Sequence, residues 1–216
     1  MGITLVNVSS YSIIGAVVFG LLRKSRIDPV HIPFLILIWV GFTNEIISDI
    51  SIKYFRTNAV CSNIYVFVEA LLIVWQFKNW RLFSKNFPYL IISLSFILLW
   101  LWESLLYSSI HQFLSYFRIC YSFIVVLMAI QMVNKLIITE QKSLLKNSCF
   151  LICSGFIFYF TFKVLVEIFW LYGLTASKEF GNRIYEISIY INIFTNLIFA
   201  LAILWMPRKR EFMLQS

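Results

Sequence analysis

Seven apolar runs, each long enough to cross a lipid bilayer, constrain this sequence more than any other feature. They fall at about 4–22, 32–50, 60–77, 87–107, 112–133, 147–172 and 186–206. The hydrocarbon layer is about 30 Å thick and a helix rises about 1.5 Å per residue, so roughly 20 apolar residues span it. Only 13% of the residues are charged, about half the share of an ordinary soluble domain. The sequence therefore predicts an all-α, polytopic membrane protein, a seven-transmembrane-helix bundle forming one domain over residues 1–216.

The basic residues between these runs predict the orientation. One side of the membrane receives twelve: Arg23, Lys24, Arg26, Lys78, Arg81, Lys85, Lys135, Lys142, Lys146, Arg208, Lys209 and Arg210. The other side receives four, namely Lys53, Arg56, Lys178 and Arg183. Cytoplasmic loops carry the excess of Lys and Arg. We therefore expect the N-terminus outside and the C-terminus in the cytoplasm, in the inner (plasma) membrane.

The net charge of +8 does not indicate a nucleic-acid partner, because the basic residues form short clusters between apolar runs and share no amphipathic face. The lipid bilayer is the predicted partner. A cytoplasmic protein could also bind the basic loops around Arg23, Arg81 and Lys142 and the tail 208–210. Anionic lipid would be attracted to the same clusters. The sequence indicates no oligomeric state.

Polar residues follow one face of several spans. In the second span they recur at helical spacing: Gly41, Asn44, Glu45, Ser48 and Asp49. The other spans contribute Ser62, Tyr65, Glu69 and Gln76; Glu103; Arg118 and Ser122; Tyr159, Lys163 and Glu167; and Tyr185, Ser188, Asn192 and Asn196. The four-residue step from Lys163 to Glu167 permits an ion pair within one helix.

In the predicted orientation, most of these side chains lie in the outer half of the bundle. Ionisable residues at membrane depth cost about 2.5–3.5 kcal/mol each on insertion scales and mark functional sites. We therefore predict a polar cavity that opens outward above an apolar floor. Its predicted ligand-binding residues are Asn44, Glu45, Asp49, Tyr65, Glu69, Arg118, Lys163, Glu167, Asn192 and Asn196.

Acids outnumber bases in that half. The six acids are Glu45, Asp49, Glu69, Glu103, Glu167 and Glu186, and the three bases are Arg118, Lys163 and Arg183. Either some acids are protonated, as burial favours, or the cavity prefers a cationic ligand. The alternative is that these residues only hold the helices together through ion pairs and hydrogen bonds.

The sequence lacks the residues that several familiar intramembrane chemistries require. The seventh span has no lysine that could carry retinal, and the two histidines, His31 and His111, lie near span ends, so neither a zinc site nor a Ser–His dyad is expected. The four cysteines form no CxxC motif. We predict no cofactor, no metal and no assigned catalytic residue. A lipid hydrolase that pairs carboxylates such as Glu45 with Asp49 or Glu69 remains an alternative.

The start of the third span, Asn63-Ile64-Tyr65, with the central Glu69, resembles small seven-span bacterial membrane proteins without soluble domains. This resemblance implies a fold and no activity. The abundance of Ile, Phe, Asn and Lys also indicates an AT-rich bacterial coding sequence. Short likenesses between the second and sixth spans and between the third and seventh suit a carrier built from repeats.

The leading hypothesis is a receptor-like or accessory signalling protein with a small polar or cationic ligand. The alternative is a channel or carrier, including a pore-forming accessory of a larger system such as phage defence.

Overall fold

The computed structural model of the 216-residue chain describes residues 8–83, 85–139, 143–172 and 178–207. Within these ranges the regular elements are helices, which confirms the all-α prediction. They are α1 (Ile14–Arg23), α2 (Ile32–Phe55), α3 (Ala59–Asn79), α4 (Asn86–Trp102), α5 (Ser115–Thr139), α6 (Ser148–Tyr172) and α7 (Lys178–Trp205). A helical turn precedes α1, and the two together form a short apolar helix, Val8–Arg23.

Six helical segments of the described chain are long and apolar enough to cross a membrane, as expected of a multi-pass membrane protein. They are Pro29–Phe55, Ala59–Asn79, Asn86–Tyr107, Ser115–Thr139, Ser148–Tyr172 and Arg183–Trp205. Val8–Arg23 is shorter than these six. It coincides with most of the first predicted span, whose residues 4–7 lie outside the described ranges, as do Lys142 and the basic tail 208–210.

Local chemistry explains where α2 starts and how α4 ends. Before α2, the Asp28 carboxylate accepts a hydrogen bond from Val30 N at 3.0 Å, and Pro33 occupies the first turn, where a helix does not need its N–H. At its far end α4 widens into a π-helical turn, Glu103–Tyr107. There Ser108 N donates to Glu103 O at 2.8 Å, five residues back. This turn redirects the chain toward α5.

The helices run antiparallel through short connections and so define two ends. We call the end that holds the α2–α3 and α4–α5 connections the upper end. The lower end holds the α1–α2, α3–α4 and α5–α6 connections. At the lower end the Arg23 guanidinium donates to the Ile203, Leu204 and Met206 carbonyls, with a nitrogen–oxygen distance of 2.7 Å to Ile203. It thereby joins the ends of α1 and α7.

An aromatic layer fills the lower half of the bundle. It consists of Phe34, Phe77, Phe156, Phe160 and Phe199, all buried. Their rings meet edge to face or tilted, with centroids 5.1 Å apart for Phe34 and Phe199 and 5.6 Å apart for Phe156 and Phe199. Such arrangements are favourable for aromatic pairs. Polar side chains of α2, α3, α6 and α7 lie above this layer.

Candidate functional site

An ion pair crosses the centre of the bundle from α6 to α3. Lys163 Nζ lies 3.0 Å from Glu69 Oε2. Tyr121 of α5 donates to the same carboxylate at 2.5 Å, and Tyr65 donates to Glu69 Oε1 at 2.9 Å. Lys163 Nζ also contacts the Tyr121 hydroxyl. Glu69 is only 4% exposed, so its carboxylate has lost most of its hydrating water. These bonds compensate for that loss.

A second ion pair lies nearer the upper end. Arg118 Nη1 of α5 is 3.5 Å from Glu167 Oε1 of α6, and Ser115 donates to Glu167 Oε2 at 2.8 Å. The other guanidinium nitrogen, Nη2, donates to Ser62 Oγ at 2.8 Å and to Asn63 Oδ1 at 3.3 Å. Arg118 Nε is buried and has no hydrogen-bond partner in the described chain. The Nε–H donor is thus unused within the described residues.

Sequence spacing permitted an ion pair within α6, but each of the two observed pairs joins α6 to another helix. Lys163 and Glu167 lie one turn apart on α6, yet Lys163 binds α3 and Glu167 binds α5. Each acid is then close to one base, and each base holds α6 against a neighbour. The four residues form a ladder that connects three helices.

Two adjoining cavities lie beside this ladder. The first, which we call the cleft, has a volume of about 310 Å³, and its polar lining includes Arg118, Lys163, Glu167, Tyr159 and Asn192. The second, which we call the chamber, has a volume of about 80 Å³ and is lined by Glu45, Tyr65, Glu69, Thr195 and Asn196, among others. Ser10, Tyr159 and Asn192 line both cavities. The Lys163–Glu69 pair therefore has its base in the cleft and its acid in the chamber.

The chamber contains an acid that is not compensated. Glu45 makes no ion pair with any described residue, whereas Glu69 pairs with Lys163. Thr195 is 1% exposed, and its hydroxyl finds no hydrogen-bond partner in the described part of the chain. The lower wall of the chamber includes Phe156, Phe160 and Phe199. A carboxylate beside phenyl faces is suited to a small cation.

No protein-family model matches the chain, and neither a curated protein nor a solved structure matches it. The function is therefore inferred from the residues of the site themselves.

Eight of the ten predicted site residues line one or both cavities: Glu45, Tyr65, Glu69, Arg118, Lys163, Glu167, Asn192 and Asn196. Asn44 and Asp49 line neither. Asp49 is exposed, and its carboxylate accepts a hydrogen bond from Tyr11 at 2.7 Å. Glu45 and Asp49 therefore do not share a cavity in the way that a pair of catalytic carboxylates would.

Two other polar residues of the predicted faces bind helix ends. Glu103 Oε1 and Oε2 accept hydrogen bonds from Tyr116 N at 3.0 Å and Phe117 N at 2.5 Å, the free N–H groups of the first turn of α5. Gln76 accepts from Phe34 N at 2.8 Å and donates to Val30 O at 2.9 Å. Both side chains are buried and satisfy backbone groups, so they are structural residues.

Sequence reasoning missed Tyr121, Thr195 and the short serine run at the start of the chain. Tyr121 lies one turn after Arg118, and Thr195 lies three residues after Asn192, so both continue faces that had already been identified. Ser9 and Ser12 accept hydrogen bonds from Asn192 Nδ2 at 3.1 Å and Asn196 Nδ2 at 2.7 Å. Their partners are more than 180 residues away in sequence, and no local pattern signals such a contact.

Proposed function

We propose that this chain is a receptor-like bacterial membrane protein that binds a small polar ligand carrying a positive charge. The cationic group of the ligand occupies the chamber beside Glu45, and the rest of the ligand lies in the cleft. The observation that carries this proposal is Glu45, an acid that lines the chamber and has no ion-pair partner in the described chain.

The surroundings of Glu45 favour an ammonium group. The other acids of the two cavities, Glu69 and Glu167, already face Lys163 and Arg118. A ligand cation would add the missing positive charge and could donate to the Thr195 hydroxyl, which has no partner among the described residues. Phe156 and Phe199 in the chamber wall would contribute cation–π attraction, which is stronger at sites away from water.

Ligand binding would report through the helices that the central pair joins. A cation in the chamber also lies near Glu69 and competes with Lys163 for that carboxylate. Because Glu69 belongs to α3 and Lys163 to α6, weakening their contact changes how these helices pack. A ligand shifts the equilibrium between two packing arrangements only to the extent that it binds one of them more tightly. The lower basic loops would pass the change to a cytoplasmic partner.

The proposal includes seven spans, with the N-terminus outside and the C-terminus inside. Val8–Arg23 covers about 24 Å as a helix, and the predicted first span begins four residues earlier, at Thr4. The orientation is supported by the excess of basic residues at the lower end. A cysteine-free protein in the plasma membrane of intact cells tests it. An impermeant maleimide should label Ser109→Cys at once and label Ser143→Cys only after permeabilisation; the reverse pattern would invert the topology.

Calorimetry on the full chain in nanodiscs tests ligand binding, with methylammonium, choline and a short diamine as probes. We expect at least one of them to bind, and Glu45→Gln to weaken its binding by tenfold or more. Asp49→Asn is the matched control, since it removes an acid one turn away that lines neither cavity, and it should leave affinity unchanged. If no probe binds, or if Glu45→Gln binds as tightly as the parent, the proposal is wrong.

A gated channel or carrier is the second candidate, favoured by one observation. A third cavity, of about 440 Å³ and lined in part by His31 and Trp80, lies at the lower end, across the aromatic layer from the chamber. Opening of that layer would join polar spaces at both ends. Flux measurements in proteoliposomes separate the candidates. The receptor proposal expects no current, whereas a current abolished by Glu69→Gln would establish conduction.

A further inference from the structure

The cavity at the lower end has a lining unlike that of the chamber. It lies where the α1–α2, α3–α4 and α5–α6 connections meet. One wall is apolar, with Met132, Leu136 and Trp205, and the rim carries Arg81 and Lys146. Among the described residues that line it there is no Asp or Glu. An open space with two cations and no acid favours an anion.

Two buried polar groups of this lining are unused. His31 is 5% exposed and Trp80 is 8% exposed, and their rings pack edge to face with centroids 6.0 Å apart. Neither His31 Nδ1 nor Trp80 Nε1 has a hydrogen-bond partner in the described chain. Buried polar atoms are rarely left unpaired, and each such case calls for an explanation. A bound polar ligand would provide one.

The backbone at Arg81 has a conformation that glycine would also adopt. Leu82 N donates to Phe77 O at 3.1 Å and Arg81 N donates to Lys78 O at 2.9 Å, which is the pattern of a helix end that normally uses glycine. Arg81 instead adopts a φ of 55°, in the left-handed region that a side chain disfavours. Glycine would therefore be more stable than arginine at this position of the α3–α4 turn, so the side chain can be removed there without harm to the backbone.

We propose that this cavity binds a phosphate-bearing anion at the lower face of the bundle. The phosphate lies between the Arg81 guanidinium and the Lys146 ammonium, and any apolar part of the ligand rests on Met132, Leu136 and Trp205. Guanidinium and ammonium groups are the usual protein ligands of phosphate. The phosphate belongs either to a lipid headgroup or to a soluble molecule. The site does not depend on the cation proposed for the chamber.

Native mass spectrometry of the detergent-purified full chain tests the lipid source, with phosphatidylglycerol and phosphatidylcholine as probes. Calorimetry with inorganic pyrophosphate tests the soluble source. We expect phosphatidylglycerol to bind at least tenfold more tightly than phosphatidylcholine, or pyrophosphate to bind in the absence of lipid. The double variant Arg81→Gly, Lys146→Gln should bind whichever of these two probes the parent protein binds at least tenfold less tightly.

Arg81→Gly alone separates binding from folding. Glycine suits the left-handed backbone at this position, so this variant should melt at the same or a higher temperature while binding the anion less tightly. Arg56→Gly is the matched control, because Arg56 also has a positive φ, of 60°, but lies at the upper end. It should keep full anion binding. The proposal fails if neither probe binds with the stated preference, or if the Arg81 and Arg56 variants bind the anion equally well.

Discussion

Lys163 Nζ lies 3.0 Å from Glu69 Oε2, and this contact joins two helices whose residues are 94 positions apart in sequence. Around it, Tyr65 and Tyr121 donate to the same carboxylate. A charge in such a position is stable only while its partners remain, because the surroundings offer little solvation. The pair therefore supports the bundle and at the same time forms the boundary between the cleft and the chamber.

Removing one member of this pair should be costly. Lys163→Met leaves the Glu69 carboxylate buried without its cation, and loss of one partner of a buried pair costs about 3–5 kcal/mol. Thermal unfolding in detergent should show a lower midpoint. The double variant Lys163→Met, Glu69→Gln should recover much of the loss, since no buried charge is left over. A double variant less stable than Lys163→Met would contradict this explanation.

Glu103→Ala should destabilise the protein without changing ligand binding. Glu103 accepts from the first-turn N–H groups of α5, and loss of such a cap costs about 1–2 kcal/mol. Unfolding in detergent measures the cost, and amine binding in nanodiscs measures function. Glu186→Ala is the control, since Glu186 has no hydrogen bond or ion pair in the described chain, and it should have a small effect. Weaker amine binding by Glu103→Ala would give Glu103 a role in the site.

Gln76→Leu should weaken the start of α2. The substitution leaves Phe34 N and Val30 O without the amide that now bonds both, and an unsatisfied buried group costs about 1–3 kcal/mol. Hydrogen exchange should therefore become faster at residues 30–36 in particular. Gln131→Leu on α5 changes an exposed glutamine and serves as the control. Equal exchange rates in the two variants would show that Gln76 is not the residue that holds α2.

Gly155→Ala should disturb the aromatic layer. An added Cβ at this position would lie 2.5 Å from Phe199 Cε1, so the ring must move, and overpacking of this kind costs about 1–3 kcal/mol. At Gly15 the nearest atom would be 4.0 Å away, and Gly15→Ala should be neutral or stabilising, since alanine favours helix. Melting temperatures provide the comparison. A Gly155→Ala protein as stable as Gly15→Ala would mean that the Phe199 ring is loosely held.

The polar faces of single helices could be predicted, because helical spacing places residues such as Tyr65 and Glu69 on one side. The role of each residue in the folded protein could not be predicted. Glu45 and Glu103 are both acids of the predicted outer half, yet Glu45 lines a cavity and Glu103 binds the start of α5. Arg23 belongs to a basic loop that could attract a partner, but its guanidinium binds carbonyls at the end of α7. These outcomes depend on which helix lies opposite.

The sequence by itself determined that the chain is helical and belongs in a bilayer. Both properties follow from local apolar runs, since backbone groups in lipid must bond within their own segment. Only the tertiary structure decided which charges meet. Lys163 could have paired with Glu167 on its own helix. The packing of α3, α5 and α6 instead placed Glu69 beside Lys163 and Arg118 beside Glu167. That packing also leaves Glu45 without an ion-pair partner among the described residues, because a pair between helices depends on how each helix is rotated against its neighbours.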